Sequence, residues 1–419
     1  MQAVILAAGQ SSRFYPFTNV AHKSLITVMG KTLLEHTLIA IKKLGIEEVV
    51  LVVAKNSPIP EIIGDGKRLD IKIIYVTQPE ALGMGDAVLQ ADAYIHDEFV
   101  LLNAYHVDIS DFLHDMEKKN TKKEEIVLLG RKEEGAGRYG YIQIENGKAK
   151  HIIEKPEVNQ TNALRVIGIY LLNKQFLQVL HDTPLEHYHF ENALDTYMQT
   201  GHARVLETTK ETLTLKYAWD VLDVKNYLLS KIKHSVSPQA SVSPHSLLLG
   251  KVYIEEGATI YEGVCIKGPA YIGKNTVVGN NALVRGGVCL EENAMIGSYM
   301  EVTNSVIMQN STSHSGFIGD SVIGSNTKIG AMFCSANVRL DRKQVSPKVK
   351  EQKVSSYKKH LGMIAGNNVI MGAGVTTMPG VIIGNDTMIG PSTTIMKNVE
   401  DHSIFYTEFK HVVKKEKKI

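Results

Sequence analysis

The feature that most limits what this chain can fold into is a six-residue aliphatic step in its second half. Apolar residues recur at Ile254, Ile260, Ile266, Ile272, Val278, Val284, Leu290, Ile296, Val302 and Met308. After a one-residue slip the step resumes at Ile323 and Ile329, and it returns at Met371, Thr377, Ile383, Ile389 and Ile395. Small or polar residues, often Gly or Asn, fill the corners between. A step of six matches neither the helical period of about 3.6 nor the alternation of an ordinary strand. It fits a parallel β-helix, in which each short strand sends one aliphatic side chain to the axis and the chain then bends. An irregular β-sandwich demands no fixed step, so seventeen positions in register favour the β-helix. The polar segment 335–360, rich in Lys, Arg and Ser, interrupts the coils and is expected to loop out.

The first half is different: short β runs alternate with helical patterns. "AVILAA" is a fully apolar strand. "GKTLLEHTLIAIKKLGI" puts Leu33, Leu34, Thr37, Leu38, Ile41 and Leu44 on one helical face, with Gly45 suited to a C-terminal cap. "EEVVLVVA", "KIIYV" and "FVLLN" read as further strands, Gly85 to Ala93 as a helix, and Ser110 as the N-cap of "SDFLHDMEKK". The alternation predicts an α/β, Rossmann-like, mostly parallel sheet covered on both faces. "GYIQIENGKAKHIIE" reads as a hairpin turning at Asn146-Gly147. "YAWDVLDVKNYLLSKI" reads as an amphipathic closing helix. The expected organisation is an α/β domain over 1–233, a Ser/Pro-rich linker over 234–246, the β-helix over 247–405 and a basic tail over 406–419.

Composition narrows the partners. Charged residues make up 21% of the chain and the formal net charge is +2, so a nucleic-acid footprint is not expected. The dense basic run at Lys414 to Lys418 reads as a solvated end. Cys265, Cys289 and Cys334 are scattered with no CxxC pair, which fits a reducing cytosol rather than a disulfide framework or zinc cluster. No apolar run reaches the roughly 18 residues a membrane span needs, so no membrane role is expected.

Chemistry concentrates after the first strand and after "FVLLN". In "LAAGQSSRFYPFT", Gly9 with small neighbours Ala7, Ala8, Ser11 and Ser12 lets backbone N–H groups approach a phosphate. Arg13 adds a fixed cation for phosphate oxygens, and Lys23 adds a second. "FVLLN" runs into Asn103, Ala104, Tyr105, His106 and then Asp108, a polar strand end of the kind where α/β proteins keep their sites.

Taken together, these residues resemble the sugar-1-phosphate nucleotidylyltransferase family. Its LAAGxGxRLxPLT opening, later lysine and GKPLLEH-like helix start are similar to the segments just quoted. "QPEALGMGDAV" resembles the family's base-recognition segment, and "YGYIQIENGKAKHIIEKP" and "VIGIY" resemble its YG…EKP region and the strand beyond. "EVTNSVIMQNSTSHSGFIGDSVIGSNTKIGA" looks like the acetyltransferase segment on the left-handed β-helix of bifunctional members. The resemblance implies transfer of a nucleotidyl group from an NTP to a sugar-1-phosphate, usually with Mg²⁺, by a protein that positions two anions and neutralises charge. It implies a homotrimer assembled through the β-helix.

By the same resemblance, Leu6, Ala7, Ala8, Gly9 and Asn103 hold the nucleotide, and Gln78 and Gly83 read the base. Arg13 binds the NTP phosphates and Lys23 the transferred phosphate. Gly140, Glu154, Lys155 and Gly168 line the sugar-phosphate pocket. On the β-helix, His314 falls on the base that deprotonates an amine for attack on acetyl-CoA, and Asn337 on an acceptor-binding position. The departures matter as much. Ala104-Tyr105 stand where the family has a Gly-Asp pair holding the metal, and a phenol does not replace a carboxylate on Mg²⁺. The second ligand position aligns on Thr214, a different alignment offering Asp220. Ser11 replaces a Gly, His22-Lys23-Ser24 replaces Pro-Lys-Pro, and Met84 replaces Thr. Three readings stay open: Asp108 or His106 has taken over the metal, the nucleotide supplies it, or the chain is a regulatory or assembly subunit that binds without turnover. At the other end, Thr303, Phe317 and Lys328 replace Lys, Tyr and Asn, which points to another acyl acceptor or to no acyl transfer.

Overall fold

The protein is described by a computed structural model covering residues 1–17, 22–120, 122, 125–133, 139–145, 148–157 and 163–414. It divides into two compact units. The first comprises Met1–Ser12, Val20–Ile26 and Lys31–Leu215; the second comprises Arg13–Asn19, Thr27–Gly30 and Lys216–Ile419.

The first unit is built on strands β1 (Gln2–Ala7), β2 (Glu48–Ala54), β3 (Lys72–Gln78), β4 (Glu98–Asn103), β5 (Ile126–Arg131), β6 (Gly140–Glu145), β7 (Lys148–Glu154), β8 (Ala163–Asn173) and β9 (Ala203–Thr208). Among the described residues they form one mixed sheet in the order β3-β2-β1-β4-β8-β5-β9-β7-β6. β1 pairs in parallel with both β2 and β4, while β8 runs antiparallel to β4 and β5. The central strands read as continuous apolar runs because both faces are covered: Ala3, Val4, Ile5, Val100 and Leu101 are all fully buried. The chain winds outward from β1 to β3, then crosses back to lay β4 on the other side of β1. That reversal opens a crevice outside the carboxyl ends of β1 and β4, the place where such sheets bind ligands.

Helix α1 (Leu33–Lys43) buries Leu33, Leu34, Thr37, Leu38 and Ile41, the face expected from its spacing. Thr32 and Glu35 form its capping box, and Gly45 follows at φ +80°, a left-handed conformation glycine adopts without cost. Helix α2 (Met84–Gln90) starts at Gly83. The expected cap at Ser110 is corrected: Ile109–Asp111 form a 3₁₀ turn and helix α3 (Leu113–Lys119) follows it. The Asn146-Gly147 turn lies outside the described residues, although β6 and β7 on either side pair antiparallel as expected. Helices α4 (Lys174–Asp182) and α5 (His189–Gln199) complete the unit.

In the second unit, short strands stack into three parallel sheets of eight, nine and eight strands, the faces of a β-helix. Ile254 pairs with Ile272 and Ile272 with Leu290, so one coil takes three six-residue steps. The aliphatic positions of the repeat are buried along the axis, Ile272, Val278 and Val284 completely. The expected single slip is corrected: Leu290 pairs with Ile307, not Met308, and three steps shorten to five residues, Val302 to Ile307, Ser313 to Ile318 and Ile318 to Ile323. Corners need a left-handed residue, and Asn281, Asn293, Asn310 and Asn326 supply it at φ near +57° to +59°.

The expected linker is corrected too. Ser235–Val236 and Ser241–Val242 pair with Tyr253–Ile254 and Thr259–Ile260, so this Ser/Pro-rich stretch forms the first coil. Helix α6 (Val221–Lys231) groups with the β-helix, where its buried Lys225 donates to the Gly287 carbonyl and to Asn304 Oδ1. Between Ser335 and Ile364 the coils are interrupted by a segment carrying a small hairpin, Lys348–Val349 with Gln352–Lys353. No helix among the described residues is long and apolar enough to cross a membrane.

Candidate active site at the strand ends

β1 and β4 end side by side, with Leu6 in register with Asn103 and the Ala104 amide donating to the Leu6 carbonyl. Ala7 and Ala8 are buried, whereas Gly9 is exposed, and a Cβ on it would meet nothing within 4 Å. The loop therefore presents open backbone, as a phosphate-binding turn requires. α1 pins the other strand end: Thr37 Oγ1 donates to the Ala104 carbonyl at 3.2 Å.

Gln78 and Gly83, expected to read a base, meet at the end of β3. Gln78 Nε2 donates to the Gly83 carbonyl at 3.0 Å and to Asp86 Oδ2 at 2.7 Å. Gly83 has φ +105°, so a side chain there is strained. Gly168, expected in the sugar-phosphate pocket, lies at a register shift in β8 and faces Asn103. A Cβ on Gly168 would stand 2.7 Å from Asn103 Nδ2 and 3.4 Å from His106 Nε2. Gly140 and Glu154 are directly paired across β6 and β7, and the Glu154 carboxylate fills the space a Gly140 side chain would need. Lys155 follows with its ammonium 5.6 Å from the Tyr188 ring centroid. Glu154 and Tyr188, with Gln143, His151, Glu191 and Asp195, line a cavity of about 580 Å³. Burial, with Glu154 nearby, raises the Glu191 pKa.

The strand-end corner is tied into a closed chain of contacts. His22 caps the short 3₁₀ turn Lys23–Leu25 by accepting from the Ser24 amide, and burial holds its imidazole neutral with a pKa near 3. That turn presents Lys23, whose Nζ donates to the Leu215 carbonyl at 3.0 Å and sits 4.7 Å from the Tyr105 ring centroid. Tyr105 packs on His106, with centroids 4.7 Å apart. His106 Nδ1 bonds to Asp108 Oδ1 at 3.1 Å, and Asp108 Oδ2 accepts the Leu213 amide at 3.0 Å. Thr214 lies between the two anchored residues Leu213 and Leu215. No spacing in the sequence announces this ring, because its members are separated by up to 192 residues.

Residues 2–224 match the family described as nucleotidyl transferase, more than half of the chain. The chain belongs to the nucleotidyl transferase family. Over its whole length it is also similar to the bifunctional protein GlmU of Methanococcus vannielii, at 32% identity covering 99% of this chain and 100% of that protein. A bifunctional sugar-1-phosphate nucleotidylyltransferase/acetyltransferase of Sulfurisphaera tokodaii is 32% identical over 95% of this chain and 98% of its own. Residues 266–405 match the GMPPB C-terminal domain. A Bacillus anthracis structure assigned as a glucose-1-phosphate thymidylyltransferase aligns with TM-score 0.50 and 21% identity over 56% of this chain and 98% of that one, a likeness of fold.

The nucleotidyl transferase family implies a divalent cation at this corner, and the residues present do not fit one. Tyr105 and Thr214 fall on the two ligand positions only by the resemblance, and beside Tyr105 the structure places the Lys23 ammonium, not a carboxylate. Asp108, the expected metal position, is fully buried, with Oδ1 bonded to His106 and Oδ2 accepting the Leu213 amide. Asp220 is turned to its own helix start, accepting the Lys216 and Tyr217 amides, with its pKa raised to about 6 by burial. Among the described residues no group of three or more His, Cys, Asp or Glu is set to hold a metal.

Arg13 is exposed and falls in the second unit. On the β-helix, His314 is exposed at a corner, and Asn337 Nδ2 donates to Asp320 Oδ2 at 2.6 Å. Asp320 also accepts from Asn304, the partner of Lys225, so Asn337 ends a polar chain that begins inside the unit.

Proposed function

We propose that this protein joins an NTP to a sugar-1-phosphate. An oxygen of the sugar phosphate attacks the α-phosphorus, the bond from that phosphorus to the bridging β-oxygen breaks, and pyrophosphate leaves. The observation that carries this reading is the convergence, at the switch point of one sheet, of the open Gly9 loop, Lys23 and the Asn103–Gly168 pair. Gln78 and Gly83 serve the base, and Gly140, Glu154 and Lys155 the sugar phosphate. Arg13 is assigned to the NTP phosphates by resemblance alone. Any Mg²⁺ belongs to the nucleotide that carries it. Three free cysteines support a reducing cytosol as the workplace. The outward residues Met295, Ile370, Met388 and Ile404 of one β-helix face, all exposed, support a trimer contact.

The β-helix is read as an acyltransferase-like half, with His314 as base and acetyl-CoA as co-substrate. The Tyr105 corner favours a second reading, a regulatory subunit that binds nucleotide without turnover. A panel of NTPs and sugar-1-phosphates with Mg²⁺, followed by pyrophosphate release, separates the two. We expect release with at least one pair; nucleotide binding with no release across the panel leaves only the regulatory reading. Acetyl-CoA consumption that persists in His314→Ala removes His314 from the acyl role.

A further inference from the structure

His106 sits just past the end of β4 and is only 1% exposed. Its Nδ1 lies 3.1 Å from Asp108 Oδ1, and the buried Asp108 is fixed in turn by the Leu213 amide at Oδ2. A carboxylate only accepts, so Nδ1 carries the ring proton and Nε2 holds a lone pair. Tyr105 packs on the ring, with centroids 4.7 Å apart, and restrains its orientation. Nε2 has no hydrogen-bond partner among the described residues. A buried acceptor left unmatched costs stability unless a ligand or water completes it. The surroundings limit what that group is. A Cβ on Gly168 would stand 3.4 Å from Nε2 and 2.7 Å from Asn103 Nδ2, so one acceptor and one donor border the same bare glycine face. A phosphate dianion brings no proton for Nε2. An ammonium brings no lone pair for the Asn103 amide. A hydroxyl brings both, donating to Nε2 and accepting from Asn103 Nδ2.

We propose that His106 is a specificity-determining residue that accepts a hydrogen bond from a substrate hydroxyl, with Asn103 donating to the same oxygen and Asp108 as the positioning residue that fixes the tautomer. This rests on the reading of the function given above, in which the crevice takes an NTP and a sugar-1-phosphate. The hydroxyl belongs to the ribose of the one or to the ring of the other. A ligand without it leaves the buried Nε2 unmatched, and a site built around a hydroxyl rejects such analogues more strongly than an apolar pocket rejects a missing methylene.

Calorimetry on the full-length protein tests this. The probes are the NTPs with their 2′-deoxy and 3′-deoxy forms, and glucose 1-phosphate and N-acetylglucosamine 1-phosphate with their monodeoxy and monodeoxyfluoro forms. We expect one position on one ligand at which loss of the hydroxyl weakens binding about 10- to 100-fold, and that position names the ribose or the sugar ring as the source. Fluorine accepts but cannot donate, so on the sugar it should be no better than hydrogen. His106→Asn keeps an amide N–H towards Asp108 but places nothing at Nε2, and in it the same change should cost less than about two-fold. In Asp108→Asn the oxygen stays on the Leu213 amide and the NH₂ turns to Nδ1, so the ring proton moves to Nε2. Nitrogen-15 NMR of labelled histidines should show that change of tautomer, and the hydroxyl preference should vanish with it. A protonated Nε2 in the neutral imidazole of the wild type overturns the proposal. A hydroxyl effect of equal size in His106→Asn assigns Nε2 to a buried water and also overturns it. An unchanged tautomer in Asp108→Asn overturns the positioning role. Binding of none of the NTPs or sugar phosphates overturns the functional reading and this inference with it, whereas binding that ignores His106 overturns this inference alone.

Discussion

At the scale of single residues, the second unit contains a carboxylate whose surroundings make it sensitive to pH. Glu291 is buried and accepts the Met29 amide at 2.6 Å and the Gly30 amide at 2.8 Å. Burial outweighs those two bonds and raises its pKa to about 7, with Glu255, Tyr271 and Cys289 as its titratable neighbours. The folded protein therefore keeps a proton that the unfolded chain, with a Glu near its ordinary 4.5, has already released. Stability contributed by that proton is complete below about pH 4.5 and is lost as pH rises towards 7, an effect on the order of 3 kcal/mol at most. Asp220, raised to about 6, adds a smaller effect of the same sign. Glu291→Gln should lower the melting temperature at acid pH, since an amide nitrogen then faces a backbone donor. It should also flatten the fall in melting temperature between pH 5 and 7.5. An unchanged slope shows that Glu291 does not titrate in this range. At this scale the sequence was legible unevenly. Gly83, Gly140 and Gly168 were singled out for binding roles, and each stands where a side chain is strained or crowded out. The hydrogen bond of Asp108 to Leu213 was not legible, because that partner lies 105 residues away.

At the scale of elements, the β-helix corners are held by a ladder that no hydrophobic pattern reveals. Asn293 donates to Asn310, Asn310 to Asn326, Asn326 to Asn368 and Asn368 to Asp386, at 2.8 to 3.2 Å. Every rung has a φ between +55° and +59°, where Asn is tolerated and most residues are not. The ladder continues across the interruption between Ser335 and Ile364, which shows how the coil resumes in register after it. Asn326→Ala loses two exposed hydrogen bonds and forces alanine into the left-handed region, at a cost of about 1–3 kcal/mol. Asn326→Gly loses the same bonds but adopts that φ freely, so it should be less destabilised in urea unfolding. Equal losses in the two variants would rule out backbone strain as the main term. The aliphatic step announced these coils because axial burial admits little but apolar residues. The first coil escaped notice because its Ser and Pro corners read as linker, and its pairing partners lie 18 residues further on. The first shortened step was missed because Met308 is apolar and buried beside the true rung residue, Ile307, and the next two because Ser313 breaks the aliphatic pattern.

At the scale of the whole molecule, the second unit is not a contiguous stretch of chain. It includes Arg13–Asn19 and Thr27–Gly30, and these early segments satisfy polar groups deep in the β-helix. Asn385 Nδ2 donates to the Pro16 carbonyl at 2.8 Å, Tyr15 donates to Asp401 at 3.1 Å, and Glu291 takes the Met29 and Gly30 amides. A boundary drawn by sequence pattern at residue 233, or by compactness at Lys216, cuts all of these bonds. The consequence is measurable. A fragment starting at Lys216 retains the full aliphatic stack but exposes Glu291 and Asn385 without their partners. Each lost partner costs about 1–3 kcal/mol, and in a unit of some 200 residues each kcal/mol lowers the midpoint by roughly 2–4 °C. The fragment should therefore keep the β-sheet circular dichroism of the coils yet melt at least 5 °C below the β-helix transition of the intact chain. Supplying residues 1–33 through a flexible fusion to its amino terminus should recover part of the difference. A fragment that melts with the intact chain would show that the early segments only rest on the β-helix and add nothing to its stability.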